Sequence, residues 1–327
     1  MKSRFVILLF SVFITVTSSC LGQLKLGVPG YISVAFTKDN SKVITGDGEG
    51  DISIWDVKTG KRILMVHYPT GGKIHPIVVS PDNKYMYVSA FFDNCFYKIE
   101  IATGKVLDKY CAKTGTINSI RLNSKGNQAL TANSFSNDLK LWDLNKKSIV
   151  KTYTGHKNGV GYADYSPDEK YIVSSTNSLC WKPCITTWIW DAQLNKCIDS
   201  LRSYQSSSVT RYSADGKYII VGGIDSKLEV FDAYTRDKLR ELPASDDCFI
   251  LDFVFTKSGS VICTSGRNIR MWNISSGELA KDLETGHSSC IRGLAFDQEG
   301  EILVSVGEDS KIFLWDTSTW KKISEFK

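Results

Sequence analysis

The amino-acid sequence predicts an all-β protein, a seven-bladed β-propeller of four-stranded antiparallel blades. Three observations support this prediction: one short turn recurs at a nearly constant period, a second motif follows it at a similar distance each time, and short β-rich runs lie between them. A unit of four short strands cannot bury both of its faces, whereas seven such units bury them by packing radially. The chain of 327 residues, with 42% hydrophobic and 23% charged residues, suits a globular fold of this size.

The recurring turn has the form Ser-Pro-Asp-x-Lys-Tyr and is best preserved as 80-SPDNKY-85, 166-SPDEKY-171 and 213-SADGKY-218. With four weaker copies, the second residues of the turns lie at positions 38, 81, 124, 167, 214, 257 and 298. The successive spacings are 43, 43, 43, 47, 43 and 41 residues, a period typical of propeller blades. We therefore predict a single domain over residues 23–327 with repeats at about 25–64, 65–109, 110–152, 153–201, 202–242, 243–283 and 284–326.

A second motif ends the third strand of each predicted blade and is followed by a turn, as in 58-KTGK-61. The intervening runs, such as Tyr218 to Val221, are β-rich and bounded by Gly, Asp, Asn and Ser, as strands usually are. The seven copies of this motif are 54-IWD-56, 98-KIE-100, 141-LWD-143, 189-IWD-191, 230-VFD-232, 271-MWN-273 and 314-LWD-316.

The recurring turn and the second motif resemble those of the WD40 family, and the resemblance extends from about Leu24 to Phe326. The Gly-His pair of that family is present as 155-GH-156 and 286-GH-287. The resemblance implies that the most complete blade, blade 7, holds a hydrogen-bonded tetrad that ties its loops together. That tetrad consists of His287, Ser305, Asp309 and Trp315. It also implies structural roles for His156, Trp55, Trp142, Trp190 and Trp272.

Other repeats depart from the family pattern. Blades 1, 2, 3, 5 and 6 lack the Gly-His pair, and Ile99 and Phe231 replace the tryptophan in blades 2 and 5, so regular tetrads are not expected there. The last repeat ends with its own outer strand, Lys321 to Phe326. The ring is therefore expected to close without the strand exchange of many propellers, although residues 23–27 could pair along an edge.

The N-terminus has the pattern of an export signal over residues 1–22. Lys2 and Arg4 precede an uncharged apolar run from Phe5 to Val16, which is short for a membrane span, and small residues follow it. We expect an exported protein that is periplasmic, displayed on the cell surface or secreted. Lipidation of Cys20 is one alternative, although Thr17 stands where the lipoprotein motif usually carries leucine, and an uncleaved anchor is another.

The extra residues of blade 4 form the tip CWKPC between its second and third strands. In an oxidising compartment two thiols that flank a tight loop tend to join, so a disulfide between Cys180 and Cys184 is predicted. Two free thiols and a redox or metal role are the alternatives, but C-x3-C without a histidine is a weak zinc signal. Cys95, Cys111 and Cys197 have no evident partners.

Bulky aromatic residues occupy the predicted tips between the second and third strands on three consecutive blades: Phe91 and Phe92, Phe135, and Trp181. Such tips are ordinarily Gly, Asn and Asp. If the rings are exposed together they form an apolar sector, which would mark a site for a protein or peptide partner. The alternative is that the rings fold back and cover the blade tops.

The sequence contains no G-x-S-x-G, H-E-x-x-H, P-loop or Rossmann motif. The net charge of +5 includes two charges of the N-terminal segment, and no cluster of Lys and Arg predicts nucleic-acid binding. We therefore expect a monomeric, non-enzymatic interaction scaffold without a cofactor or metal. Contact with a membrane is expected only in the alternative in which Cys20 carries a lipid. The alternatives are a lactonase-like or quinoprotein-like enzyme with a metal or cofactor in its channel, and an adaptor portion of a larger assembly.

Overall fold

The computed structural model describes residues 30–176, 184–203, 207–223, 226–244, 250, 252–257 and 260–326. These residues form seven four-stranded sheets, and in each sheet the strands pair antiparallel in chain order. The predicted fold class is confirmed. Each sheet is one blade, and its strands a to d run from the central channel, which strand a lines, to the outer edge.

The first four blades follow one another along the chain. Blade 1 contains β1 Tyr31–Phe36, β2 Lys42–Asp47, β3 Asp51–Asp56 and β4 Arg62–His67. Blade 2 contains β5 Ile74–Val79, β6 Tyr85–Ala90, β7 Cys95–Glu100 and β8 Val106–Cys111. Blade 3 contains β9 Thr116–Leu122, β10 Gln128–Ser134, β11 Asp138–Asp143 and β12 Ser148–Thr154. Blade 4 contains β13 Val160–Tyr165, β14 Tyr171–Thr176, β15 Cys184–Asp191 and β16 Lys196–Ser203.

The last three blades complete the ring. Blade 5 contains β17 Ser207–Tyr212, β18 Tyr218–Gly223, β19 Lys227–Asp232 and β20 Lys238–Pro243. Blade 6 contains β21 Phe253–Phe255, β22 Ser260–Ser265, β23 Asn268–Asn273 and β24 Leu279–Glu284. Blade 7 contains β25 Ile291–Phe296, β26 Ile302–Gly307, β27 Ile312–Asp316 and β28 Lys321–Glu325.

Each recurring Ser-Pro-Asp turn joins strand a to strand b, and its side chains satisfy the turn backbone. In blade 2 the Ser80 hydroxyl donates to Asp82 Oδ1 at 2.6 Å and accepts the Tyr85 N–H at 3.0 Å. Ser and Asp favour turns because their short side chains reach the backbone of nearby residues. The same two bonds recur around Ser166 and Ser213, with almost the same lengths.

Among the described residues the hydrophobic core consists of seven clusters, and each one fills the space between two adjacent blades. Strands b and c are buried on both faces because neighbouring blades cover them, as in β2, where four consecutive residues are buried. Strand d lies at the outer edge and is mostly exposed, as in β4. The stability of each blade therefore depends on its neighbours, as expected for stacked repeats.

Blades 1 and 7 close the ring by side-chain packing. In the described residues every blade is built from one contiguous run of chain. Val43 and Trp55 of blade 1 share a cluster with Leu314 of blade 7, and the ring of Phe326 lies 5.9 Å from that of Trp55. Gly30 completes the contact, because a Cβ there would lie 2.6 Å from the Cα of Glu308.

Candidate functional site

The turns after strands b and d lie at one end of every blade because successive strands run in opposite directions. We call this end the top face, and the end with the a–b and c–d turns the bottom face. The top face holds both structural features that the sequence singled out, the hydrogen-bonded tetrad and the aromatic tips. The top face is therefore the candidate functional surface of the molecule.

The four tetrad residues of blade 7 form one continuous hydrogen-bond chain. Trp315 Nε1 donates to Ser305 Oγ at 3.0 Å, and Ser305 Oγ lies 2.9 Å from His287 Nε2. His287 Nδ1 lies 3.0 Å from Asp309 Oδ1, so the network assigns the imidazole proton to Nδ1 and the Ser305 proton to the bond with Nε2. Asp309 also accepts the Ser288 N–H at 2.8 Å, which ties the d–a loop to the b–c turn.

Blade 4 contains part of the same hydrogen-bond chain. Trp190 Nε1 donates to Ser174 Oγ at 2.8 Å, and His156 Nε2 lies 2.8 Å from the same oxygen. Burial lowers the pKa of His156 to about 4. The b–c loop of this blade, residues 177–183, lies outside the described residues, and its sequence contains no Asp or Glu to take the place of Asp309.

The tryptophans of blades 1 and 3 use threonine as their acceptor. Trp55 Nε1 donates to Thr45 Oγ1 at 2.9 Å, and Trp142 Nε1 donates to Thr131 Oγ1 at 3.0 Å. Trp272 Nε1 is buried without a partner in the described part of the chain. The side chains of residues 261–265 on the paired strand are not described.

Three of the four predicted aromatic tip residues lie on the top face with exposed rings. The exposed fractions are 44% for Phe91, 81% for Phe92 and 72% for Phe135. Phe91 is partly held down, since its ring stacks on His75 with the centroids 5.9 Å apart. The fourth, Trp181, lies outside the described residues. The alternative in which the tip rings fold back over the blades does not describe Phe92 or Phe135.

The backbone at these tips has an unusual conformation. Phe92 has a φ of 66° and is the third residue of a turn closed by a bond from the Asp93 N–H to the Ala90 carbonyl. Phe135 has a φ of 62° at the centre of a γ-turn, in which the Ser136 N–H bonds the Ser134 carbonyl at 2.7 Å. Glycine is the usual residue for the first geometry, and a γ-turn with a positive central φ is rare and strained.

The central channel forms a cavity of about 360 Å³ lined by the inner strands. Its arginines have acidic partners. Arg121 Nε lies 3.2 Å from Asp164 Oδ1, and Arg211 Nη2 lies 2.9 Å from Asp252 Oδ1. Within the described residues no three His, Cys, Asp or Glu side chains are close enough to hold a metal ion.

The channel also contains His75, whose Nδ1 is buried without a hydrogen-bond partner in the described part of the chain. Burial lowers the pKa of His75 to about 4, so the ring is neutral at physiological pH. Burial likewise raises the pKa of the Asp164 carboxyl, and the attraction of Arg121 opposes that shift. These groups mark a partly desolvated channel with paired charges.

The structure corrects the assignment of the cysteines. Cys95 and Cys111, which the sequence left without partners, form a disulfide between β7 and β8 with their Cα atoms 4.1 Å apart. The two residues are direct neighbours in the strand register, which sequence separation alone does not reveal. Of the predicted pair, Cys180 and the side chain of Cys184 lie outside the described residues.

Comparison with known proteins gives two local matches and several relatives. A family model described as WD domain, G-beta repeat matches residues 147–181 and 278–316. Autophagy-related protein 16 of Arabidopsis thaliana is 22% identical over 314 residues, 92% of this chain and 58% of its own length. Nuclear distribution protein nudF of Aspergillus niger is 29% identical over 220 residues, 59% of this chain and 48% of its own length. This chain is a WD40-repeat β-propeller.

The WD40 propeller spans 58%, 48% and 17% of the lengths of three of its relatives, the third being apoptotic protease-activating factor 1 of Danio rerio, 27% identical over 62% of this chain. These relatives are longer proteins. Their own partners and activities therefore do not transfer to this chain as findings.

The expectation of export is wrong. The names of two of the relatives refer to autophagy and nuclear distribution, which point inside the cell. The signal-like segment and Cys20 lie outside the described residues, and among the described ones no helix has the length and hydropathy to cross a membrane. The prediction of export rested on a short apolar run that follows two positive charges. This pattern is one of composition only, and it does not determine the compartment. The argument for a Cys180–Cys184 disulfide from an oxidising compartment falls with it.

Proposed function

We propose that this WD40 propeller is a non-enzymatic interaction scaffold that binds a protein or peptide partner on its top face. The binding residues in this proposal are Phe91, Phe92 and Phe135, with Trp181 on the next blade. The observation that supports it is that Phe92 and Phe135 are exposed at backbone positions where glycine is preferred. Exposed rings gain no packing energy that offsets the strain, so a role outside the fold explains them better.

Aromatic side chains suit this role. They bury large areas on binding and lose little conformational entropy, so they are enriched among the residues that dominate interface energies. The relatives also support the proposal at the level of the family, since the names of two refer to a cellular process, autophagy or nuclear distribution, and to no chemical reaction. The specific partner does not follow from those names.

Affinity capture from a native cell extract tests the proposal. The bait is the full chain, compared with a Phe92→Ser, Phe135→Ser variant and with a control that replaces two exposed bottom-face residues, Leu194→Ser, Tyr234→Ser. Loss of one aromatic anchor typically costs about 2 kcal/mol, so the top-face variant should recover little of the partner that wild type recovers. The control should recover it fully. Equal recovery by wild type and the top-face variant would refute the proposal.

A further inference from the structure

Three exposed lysines border the aromatic tips. Lys73, Lys113 and Lys157 lie in the d–a loops that enter blades 2, 3 and 4. We call this set the lysine border, and we call Phe91, Phe92 and Phe135 the aromatic tips. In the part of the chain that the structure describes, no ion pair is formed by any of the three lysines.

Backbone contacts place each lysine beside a tip. The Lys73 carbonyl accepts the Phe91 N–H at 2.9 Å, and the Lys157 carbonyl accepts Asn137 Nδ2 at 3.5 Å from the blade 3 tip. Ala112, next to Lys113, exchanges two hydrogen bonds with Asn94 of the blade 2 tip.

The loop that carries Lys113 lies between the two tips. On one side the Ile117 N–H bonds the Asp93 carbonyl at 3.0 Å. On the other side Gly115 packs so closely against the blade 3 tip that a Cβ would lie 2.7 Å from the Ser134 carbonyl oxygen. The aromatic tips and the lysine border therefore form one continuous surface.

The acidic groups within this surface are already engaged. Asp93 accepts the Thr70 hydroxyl at 2.8 Å and the Cys95 N–H at 2.9 Å. Asp138 is buried and paired with Lys140. Asp93 keeps its negative charge, but the three lysines outnumber it, so the net charge that the surface offers to a ligand is positive.

Other acidic side chains of the top face lie on neighbouring blades. Glu49 stands on the b–c turn of blade 1, and Glu308 stands on that of blade 7, where it pairs with Arg292. Positive charge is thus concentrated at the loops that enter blades 2, 3 and 4, whereas Glu308 is neutralised by Arg292 and the Glu49 carboxylate lies on blade 1. This asymmetry gives the surface a preference for one sign of ligand charge and a direction across the face.

We infer that the aromatic tips and the lysine border bind an acidic peptide segment that carries aromatic or long aliphatic side chains. This inference rests on the proposed function and names the chemistry of its partner. The rings of Phe92 and Phe135 would contact the apolar side chains, while the three lysines would face Asp and Glu residues of the segment. Complementary charge at the rim speeds association and selects among partners, whereas the aromatic contacts supply most of the affinity.

A random library of 12-residue peptides displayed on phage, selected on the immobilised full chain, tests the inference. The selected peptides should carry a net negative charge and at least one aromatic or long aliphatic residue. The Kd of the best peptide is then measured by fluorescence anisotropy. Phe92→Gly should weaken binding about 30-fold, which is the loss typical of an aromatic anchor. This variant keeps its fold, because glycine suits the backbone at residue 92.

A second variant tests the charge. Lys73→Glu, Lys113→Glu, Lys157→Glu together should weaken binding about tenfold and remove most of its sensitivity to salt. The matched control reverses the charge of three exposed lysines in the bottom-face turns, Lys58→Glu, Lys105→Glu, Lys125→Glu. It therefore has the same net charge as the top-face variant. This control should bind the peptide as wild type does.

The outcomes separate the inference from the proposed function. Selected peptides that need Phe92 but are neutral or basic would overturn the inference and leave the proposed function standing. Peptides that are insensitive to both top-face variants, or a library with no enriched peptide, would overturn both. An equal loss of binding in the bottom-face control would show a general effect of charge and would also overturn the inference.

Discussion

Phe92 and Phe135 hold left-handed backbone conformations that cost an ordinary side chain about 1 kcal/mol or more relative to glycine. At the top-face tips of blades 1, 5, 6 and 7 the residues with positive φ are small: Gly50, Ser226, Gly266 and Ser310. The fold therefore does not require phenylalanine at a tip residue with positive φ. The strain is local and is not offset by burial of either ring.

This strain predicts the effect of glycine on stability. Phe92→Gly and Phe135→Gly should each raise the free energy of unfolding by about 0.5 kcal/mol, because relief of the strained φ exceeds the entropy that glycine adds to the unfolded chain. Urea unfolding followed by tryptophan fluorescence measures the change. Tyr234→Gly is the control, since Tyr234 is 93% exposed and has no positive φ, and it should be destabilising. A lower urea midpoint for both tip variants would contradict the strain argument.

The tryptophan of a blade and the residue that accepts its indole N–H can be compared from blade to blade. In blades 1, 3, 4 and 7 the acceptor is Thr or Ser, and it lies two residues beyond the residue that pairs with the tryptophan. In blade 2 Ile99 replaces the tryptophan and Val88 stands at the acceptor position. In blade 5 the corresponding pair is Phe231 and Val221. In these six blades the indole donor and its acceptor are thus present together or absent together, because a buried polar group without a partner is costly. Blade 6 is the exception, since Trp272 is present and Cys263 stands at the acceptor position.

At the scale of strands, β7 and β8 show how register makes a covalent contact. Their antiparallel pairing places Cys95 directly opposite Cys111, although 16 residues separate them in sequence. The c–d turn of blade 2 sets this register, and the turn itself can be recognised in the sequence. Its consequence for the cysteines depends on a bulge between Lys98 and Ile99, which shifts the pairing and is invisible in the sequence.

Peptide mapping without reduction checks the disulfide. Tryptic cleavage after lysine places Cys95 in the peptide Tyr85–Lys98 and Cys111 in the peptide Tyr110–Lys113. We expect these two peptides to appear as one cross-linked species by mass spectrometry, and to separate after reduction. Cys197, which is not part of a disulfide, should be alkylated without reduction and serves as the internal control. Complete alkylation of Cys95 and Cys111 before reduction would contradict the assignment.

At the scale of the whole molecule, stability depends on the contact between the first and last blades. No strand of the described residues crosses from one blade to another, so the 7–1 contact is held by apolar packing. Phe326 is central to it, because its ring packs on Trp55 and lies beside Gly60. A ring closed in this way should be sensitive to the loss of a single large side chain at the junction.

Phe326→Ala should lower the free energy of unfolding by about 3 kcal/mol, since it removes a buried aromatic ring and leaves a cavity. Ile323→Ala is the matched control on β28, which ends one residue before Phe326, because Ile323 is 53% exposed and should change stability by less than about 0.5 kcal/mol. Urea unfolding of the two variants measures both effects. Similar stabilities of the two variants would show that the junction does not limit the ring.

The sequence by itself determined the fold class, the number of blades and the position of the turns, because blade architecture depends on local patterns that repeat about every 43 residues. Turn formation and the alternation of apolar residues depend on residues that are close together in the sequence. The sequence therefore predicts both without knowledge of the tertiary structure. The aromatic tips were identified as candidates for the same reason. The compartment was predicted wrongly, since an apolar N-terminal run is compositional and shared by segments with other roles.

Only the tertiary structure decided which distant residues meet. It joined Cys95 to Cys111, set the channel arginines against carboxylates of neighbouring blades and exposed Phe92 and Phe135 on strained turns. It also brought the loops of Lys73, Lys113 and Lys157 beside the aromatic tips. These relations depend on strand register and on the angle between blades, which arise from packing across the whole ring and have no counterpart in the local sequence.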